Sequence, residues 1–215
     1  MNAIRIRAKE HFPSVVLTLL SIVQALALEL LWAHLHEADY LFEPTWIAAV
    51  SWLQIVATLL GIILIWVVYS GNVMRFRWVP TTSDSVLPFF IGLTEFVLIE
   101  TLGPDDIGLW LLFMALVFGL MNWVAHATMR QARWDGDNDA YFDKFKPATL
   151  RDFYPGIAVV SGFTVAGIYL LTSGDSGILA IFAVLATITV LVWQFQQAAL
   201  FWEISVADGG GENVT

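Results

Sequence analysis

Six long apolar blocks, separated by short polar breaks, run the length of this chain. They cover residues 14–36, 46–70, 84–103, 107–129, 153–171 and 178–203. Each is close to the roughly 20 residues that a helix needs to cross a hydrocarbon core. None alternates apolar and polar positions as a half-buried strand would. The pattern therefore predicts an all-α polytopic membrane protein: six transmembrane helices in three antiparallel hairpins, forming one domain over residues 1–206. The polar, Gly-rich tail 207–215 is expected to be disordered.

Local signals punctuate these blocks. Asp84 or Ser85 suits the N-cap of the third span, with Pro88 tolerated in its first turns, and Gly103-Pro104 closes it. The first block follows a basic start, as a signal peptide would. Its apolar run from Val15 to Leu35 is too long for that role and has no small-x-small cleavage site, so it reads as a retained helix.

Composition sharpens the class. The chain is 58% hydrophobic and 13% charged, whereas a soluble domain is nearer half and a quarter. No separate soluble domain fits beside six spans. Cysteine is absent, which excludes disulfides, thiolate metal sites and a cysteine nucleophile.

Charge then supplies an orientation. The net charge is −9, yet all ten Lys and Arg fall on one side of the predicted membrane. Arg5, Arg7 and Lys9 precede the first span. Arg75 and Arg77 follow the second, and Arg130, Arg133, Lys144, Lys146 and Arg151 follow the fourth. Retention of Lys and Arg in the cytoplasm predicts N-in, C-in insertion in a cell (inner or plasma) membrane. Asp135, Asp137, Asp139 and Asp143 interleave with these bases, which argues against nucleic acid and for the headgroups of the lipid bilayer as the partner. Aromatic belts are expected at Trp32 and Trp46 outside, and at Trp66, Tyr69, Trp78, Trp123, Trp134 and Trp202 inside.

Two glutamates stand out within the spans. An ionisable side chain in hydrocarbon costs about 2.5–3.5 kcal/mol or more. Glu29 and Glu95 each precede an outer aspartate, Asp39 or Asp105, by ten residues, a helical rise of about 15 Å. The stretches around them share a spacing that hints at a repeat, with His34 and Glu100 in equivalent places. No Lys or Arg lies in the spans to pair with either. Gln24, Gln54, Thr58, Thr94, Asn122, Thr164 and Tyr169 are the candidate neutral partners.

The spacing predicts a proton or cation site lined by Glu29 and Glu95. Glu100 belongs toward its outer mouth, and Gln54, Asn122 and His126 toward its interior and inner side. Asn122 and His126 share a helical face, and Gln194 and Gln197 lie near the same depth. The structural alternative is a pair of protonated glutamates bonding across helices.

At the outer end of the first span, His34, His36, Glu37 and Asp39 are a candidate set for a divalent metal. No other cofactor is implied: His126 alone at the inner level cannot clamp a haem. The run Asp135-Gly-Asp137-Asn-Asp139 begins like a calcium loop but has Ala140 and Lys146 where Gly and Glu belong, which excludes an EF-hand. Tyr141, Phe142 and Phe145 mark a short interfacial helix.

No phosphate-cradling loop, Ser-x-x-Lys, His-Glu-x-x-His or nucleophile elbow occurs. Three functions follow, in this order. The first is a channel or transporter for protons or small cations. The second is a non-catalytic subunit or scaffold, assembling as a homo-oligomer or docking a partner membrane protein. The third is an intramembrane metal-dependent enzyme acting on a lipid or quinone.

Overall fold

The computed structural model describes residues 3–143, 146–173 and 177–207, and no strand occurs among them. The helices are α1 (Ala3–Glu37), α2 (Trp46–Arg75), α3 (Thr82–Glu100), α4 (Ile107–Arg133), α5 (Asp139–Phe142), α6 (Leu150–Ser173) and α7 (Ile178–Ala207), with 3-10 turns at Asp39–Phe42 and Gly136–Asn138. Six of them, all but α5, are long and apolar enough to cross a membrane. The chain is thus built as a multi-pass membrane protein.

The helices outrun the apolar blocks, mostly where the bases lie. α1 begins at Ala3, not at residue 14, and carries Pro13 inside it. α2 and α4 continue to Arg75 and Arg133. Hydrophobicity stops at the edge of the hydrocarbon, but backbone hydrogen bonding does not, and long basic side chains let a helix continue into the interface. At α3 the cap is Thr81, not Asp84 or Ser85: the Asp84 carboxylate reaches back to accept from the Thr81 N–H at 2.7 Å and its hydroxyl at 3.0 Å. α3 then stops at Glu100, and Gly103 adopts φ 146°, a backbone conformation that favours glycine.

The main helix pairs are α4 with α6, α2 with α7 and α1 with α3, supported by α3 with α4 and α1 with α2. Sequence neighbours α6 and α7 touch far less. Small residues allow the closest approaches. A Cβ on Gly108 would lie 2.8 Å from the Gly167 carbonyl oxygen, and one on Gly167 equally close to that of Gly108. A Cβ on Gly92 would run into Val23. Such contacts are how helices associate in lipid, where apolar burial between helices gives little drive. Leu20, Ile91, Ile99, Trp110, Leu111 and Met114 form the fully enclosed centre.

The basic end of the bundle is tied together by polar contacts. Lys9 Nζ pairs with Asp135 at 2.6 Å and Asp137 at 3.1 Å. Buried Asn138 accepts from the Arg77 N–H and donates to the carbonyls of Arg77 and Ala132. The aromatic side chains of α5 turn inward: Tyr141 and Phe142 pack on Phe76, and Arg133 lies over Phe142 at 4.5 Å. This short helix therefore closes the ends of α2 and α4, and its Phe142 is not offered to a bilayer interface. Lys144, Phe145, Asp175 and the tail 208–215 lie outside the described residues. Trp32, Trp46, Trp123 and Trp134 are exposed as a belt requires, whereas Tyr69 and Trp78 are buried. Trp78 packs edge-on against Phe12 and donates weakly to Asp84.

Candidate functional site

The close approach of α1 and α3 at Gly92 and Val23 sets Gln24 against Glu95 in the bundle interior. Glu95 is 1% exposed and Gln24 6%. Gln24 Nε2 donates to both carboxylate oxygens of Glu95, at 3.2 and 3.0 Å. Among the described residues no cation reaches Glu95; the ion pairs found belong to Lys9. The Gln24 Oε1 atom is buried without a partner.

Gln24 is the sole member of the expected partner set that bonds Glu95. Thr94 donates to the Phe90 carbonyl, Thr164 to Val160 and Asn122 to Phe118. Thr58 accepts from the Trp110 indole at 3.0 Å. Gln54 is fully buried with neither side-chain polar atom partnered. Tyr169 is exposed.

Glu29 does not join Glu95. Its side chain is exposed on the outward face of α1. Ser14, Thr18, Ser21 and Ala25 are exposed on that face with it, and their three- and four-residue steps make one stripe. The Thr18 and Ser21 hydroxyls bond back to the carbonyls of Ser14 and Leu17. Because Glu95 meets Gln24, five residues (a rise of about 7.5 Å) before Glu29 on α1, the two carboxylates share neither a level nor a site.

On α2, Gln54 and Thr58 were expected at the site, and the structure adds Ser51, Tyr69 and Asn72 to them. Ser51, Gln54, Thr58, Tyr69 and Asn72 are all buried, and their spacing confines them to one arc of the helix. The signal was present as polar residues three or four apart in an otherwise apolar span, broken only at Gly61 to Ile65. Glu95 lies 11 residues along α3 from Asp84, a rise of about 16 Å. That places Glu95 and Gln24 at the depth of the gap. Tyr69 lies within electrostatic reach of both Glu95 and Asp84.

These side chains make a buried polar stripe along α2, with Tyr69 within electrostatic reach of Glu95. At the acidic end stands Tyr40, whose hydroxyl is 3.7 Å from where a Cβ on Gly103 would be. Burial, with nearby Asp105 adding to it, holds the Tyr40 phenol above its ordinary pKa, so this end of the bundle carries a neutral hydroxyl. Ser51, Gln54, Thr58 with Trp110, and Tyr69 follow along α2. At the basic end, Tyr69, Asn72, Asp84 and Thr128 line a cavity of about 20 Å³ open to the centre of a water molecule, room for one ordered water. The Tyr69 hydroxyl, both polar atoms of Gln54 and one of Gln24 are buried and unpartnered, while the Tyr40 and Ser51 hydroxyls lie within interaction range of each other. Natural interiors leave few such atoms, so their concentration here is a property of the site.

The acidic-end residues are spread apart. α1 stays helical through Glu37, so His34 and His36, two apart, project to different sides. His36 packs on Trp32 with ring centroids 5.1 Å apart. Glu37, Asp39 and Glu100 are exposed, while His34 is half-buried within electrostatic reach of Glu100 and Glu37. Among the described residues no three His, Asp or Glu side chains are placed to hold a metal ion. The expected set His34, His36, Glu37 and Asp39 does not converge.

Nearer the basic end, the expected polar layer is brought together in part. Asn122, Gln194 and Gln197 line one cavity, together with Asn72, Arg75 and Asp152. A Cβ on Gly156 would be 2.7 Å from Asn122 Oδ1, so this glycine makes room for the amide. His126 turns away from the cavity and stacks on Phe153, with centroids 3.9 Å apart.

Compared with known protein families, curated proteins and solved structures, the chain matches none.

Proposed function

We propose that this chain carries protons, or failing that a small cation, across a cell membrane, with Glu95 as the group that binds and releases them. The observation that carries this reading is a fully buried carboxylate held by a neutral amide, with no cation reaching it among the described residues, in a bundle that also buries a stripe of hydroxyls and amides along α2. An ionised carboxylate there has no counter-charge among the described residues, and a protonated one needs an acceptor for its O–H. Gln24 can serve both states. Its Nε2 bonds both oxygens of the anion, and a turn of the amide would let Oε1 accept from the acid while Nε2 donates to the remaining oxygen. Protons are favoured over metal cations because so few oxygen ligands converge on Glu95. We further take the basic end as cytoplasmic, with both termini inside and the spans inserted as three hairpins in a cell inner or plasma membrane.

The test is flux in proteoliposomes under an imposed pH gradient. Glu95→Gln keeps the shape and abolishes titration, so it should abolish proton flux, while Glu29→Gln should leave it unchanged. Flux that survives in Glu95→Gln overturns the reading.

The outward stripe on α1 favours a second reading, that of an assembly subunit. A carboxylate on a lipid-facing helix is expensive, and Ser14, Thr18, Ser21 and Ala25 offer the small surface on which membrane helices pack. A homo-oligomer is the simplest assembly. With no native cysteine, Ala25→Cys reports directly: oxidative cross-linking of two copies in membranes supports it, and a monomer with no cross-link removes it.

A further inference from the structure

The bundle holds a second cavity, unconnected to the proposed role of Glu95. It lies between α2, α4, α6 and α7 and has about 350 Å³ open to the centre of a water molecule. Its walls are mostly apolar. Met114, Met121 and Met129 contribute flexible side chains that adapt to irregular ligands. Gly61 opens onto free space: a Cβ there would meet nothing within 4 Å.

Its polar groups gather toward the basic end, where Arg75 is the one cation among the described residues lining it. Arg75 Nε donates to the Gly71 carbonyl at 3.1 Å, and its guanidinium lies 5.8 Å from the Phe76 ring and 6.0 Å from the Phe201 ring. Its guanidinium also hydrogen-bonds the Tyr141 side chain, while Nη1 is buried with no partner within hydrogen-bonding distance among the described residues. Asp152, which also lines the cavity, accepts from both the N–H and hydroxyl of Thr149 and is exposed, and among the described residues no ion pair joins it to Arg75. Gln194 and Gln197 add amide donors at that level.

We infer that this cavity binds a long-chain carboxylate, its tail between Gly61 and the methionines and its head on Arg75 Nη1 and the α7 amides. A guanidinium with a free N–H is suited to an anionic oxygen, and an apolar trough leading from it suits a single alkyl chain. A neutral tail would satisfy the walls but leave Nη1 bare.

Binding of radiolabelled palmitate to the purified chain in nanodiscs tests this, with hexadecanol and a phosphatidic acid as competitors. Palmitate should bind saturably and hexadecanol should compete at least about tenfold more weakly, as loss of one charge-assisted hydrogen bond implies. Arg75→Gln should weaken palmitate about tenfold and leave hexadecanol unchanged. Gly61→Phe, which fills the trough and leaves Arg75 in place, should abolish both. Thermal melts of the two variants confirm that each is folded. Absence of saturable palmitate binding overturns the inference, as does equal binding of palmitate and hexadecanol with no effect of Arg75→Gln. Stronger competition by phosphatidic acid than by palmitate itself also overturns it, assigning the site to a phosphate headgroup.

Discussion

Gln24 on α1 and Glu95 on α3 meet in the bundle interior, the amide nitrogen of one within 3.2 Å of both carboxylate oxygens of the other. The pair is 71 residues apart in sequence, and it joins two helices whose contact is otherwise apolar and small. Because nothing else among the described residues bonds Glu95, its environment rests on this amide.

Removing the amide should therefore be worse than removing the charge. Gln24→Leu leaves a buried carboxyl without a partner and should destabilise the protein by about 1–3 kcal/mol. Glu95→Gln keeps an amide–amide pair and should change stability by less than about 1 kcal/mol. Thermal unfolding in detergent, run as a double-mutant cycle with Glu95→Leu, checks this. A coupling energy near zero would mean that the pair does not hold α1 to α3.

Gln54 separates stability from function. Both its side-chain polar atoms are buried and unpartnered, so Gln54→Leu should keep stability or raise it by about 1 kcal/mol. If the α2 stripe conducts, the same variant should lower proton flux severalfold. Unchanged flux would take Gln54 out of the path.

The α1–α3 seam tolerates no added volume. Gly92→Leu should destabilise by about 1–3 kcal/mol or more, because Val23 occupies the space. Gly119→Ala and Gly162→Ala, where a Cβ meets nothing within 4 Å, should be neutral within about 0.5 kcal/mol. Melting temperatures of the three variants in one detergent decide it.

Glu29 gives the opposite sign to the core residues. Glu29→Leu removes an exposed carboxylate from a membrane-spanning face, so an isolated copy should gain stability, by about 1–3 kcal/mol on insertion scales. A loss of stability together with loss of the Ala25→Cys cross-link would show that Glu29 serves an interface.

At the basic end, Lys9→Met should free the segment Asp135–Asn138 from α1. The pair is mostly shielded from water, with side chains 9% and 13% exposed, and its loss should cost about 0.5–1 kcal/mol. Faster limited proteolysis between α4 and α6, with the melting temperature shifted by only a few degrees, is the expected readout.

Much of this was legible from residues alone. The six spans, the gathering of bases at one end and the separation of His34 from His36 follow from length, hydropathy and helical period. Asn122, Gln194 and Gln197 were placed at one depth by counting and do share a cavity. The starting points of α1 and α6 were missed because hydrophobicity marks the membrane, not the helix. Trp78 and Tyr69 were misread as belt residues because a buried aromatic and an interfacial one have the same composition. The stripe on α2 was legible in principle, from the three- and four-residue steps between Ser51 and Asn72.

The sequence by itself determined six segments long and apolar enough to cross a membrane and the height of each residue along its helix, since those follow from length, hydropathy and helical rise alone. Only the tertiary structure decided rotation. Lipid is as apolar as the interior of the bundle, so a helix that is apolar all round does not reveal which side faces its neighbours. Glu29 and Glu95 share a local sequence pattern, yet Glu95 is sealed against Gln24 while Glu29, five residues further along α1, points out. That difference is set by where Gly92 lets α1 approach α3, a contact between residues far apart in the chain.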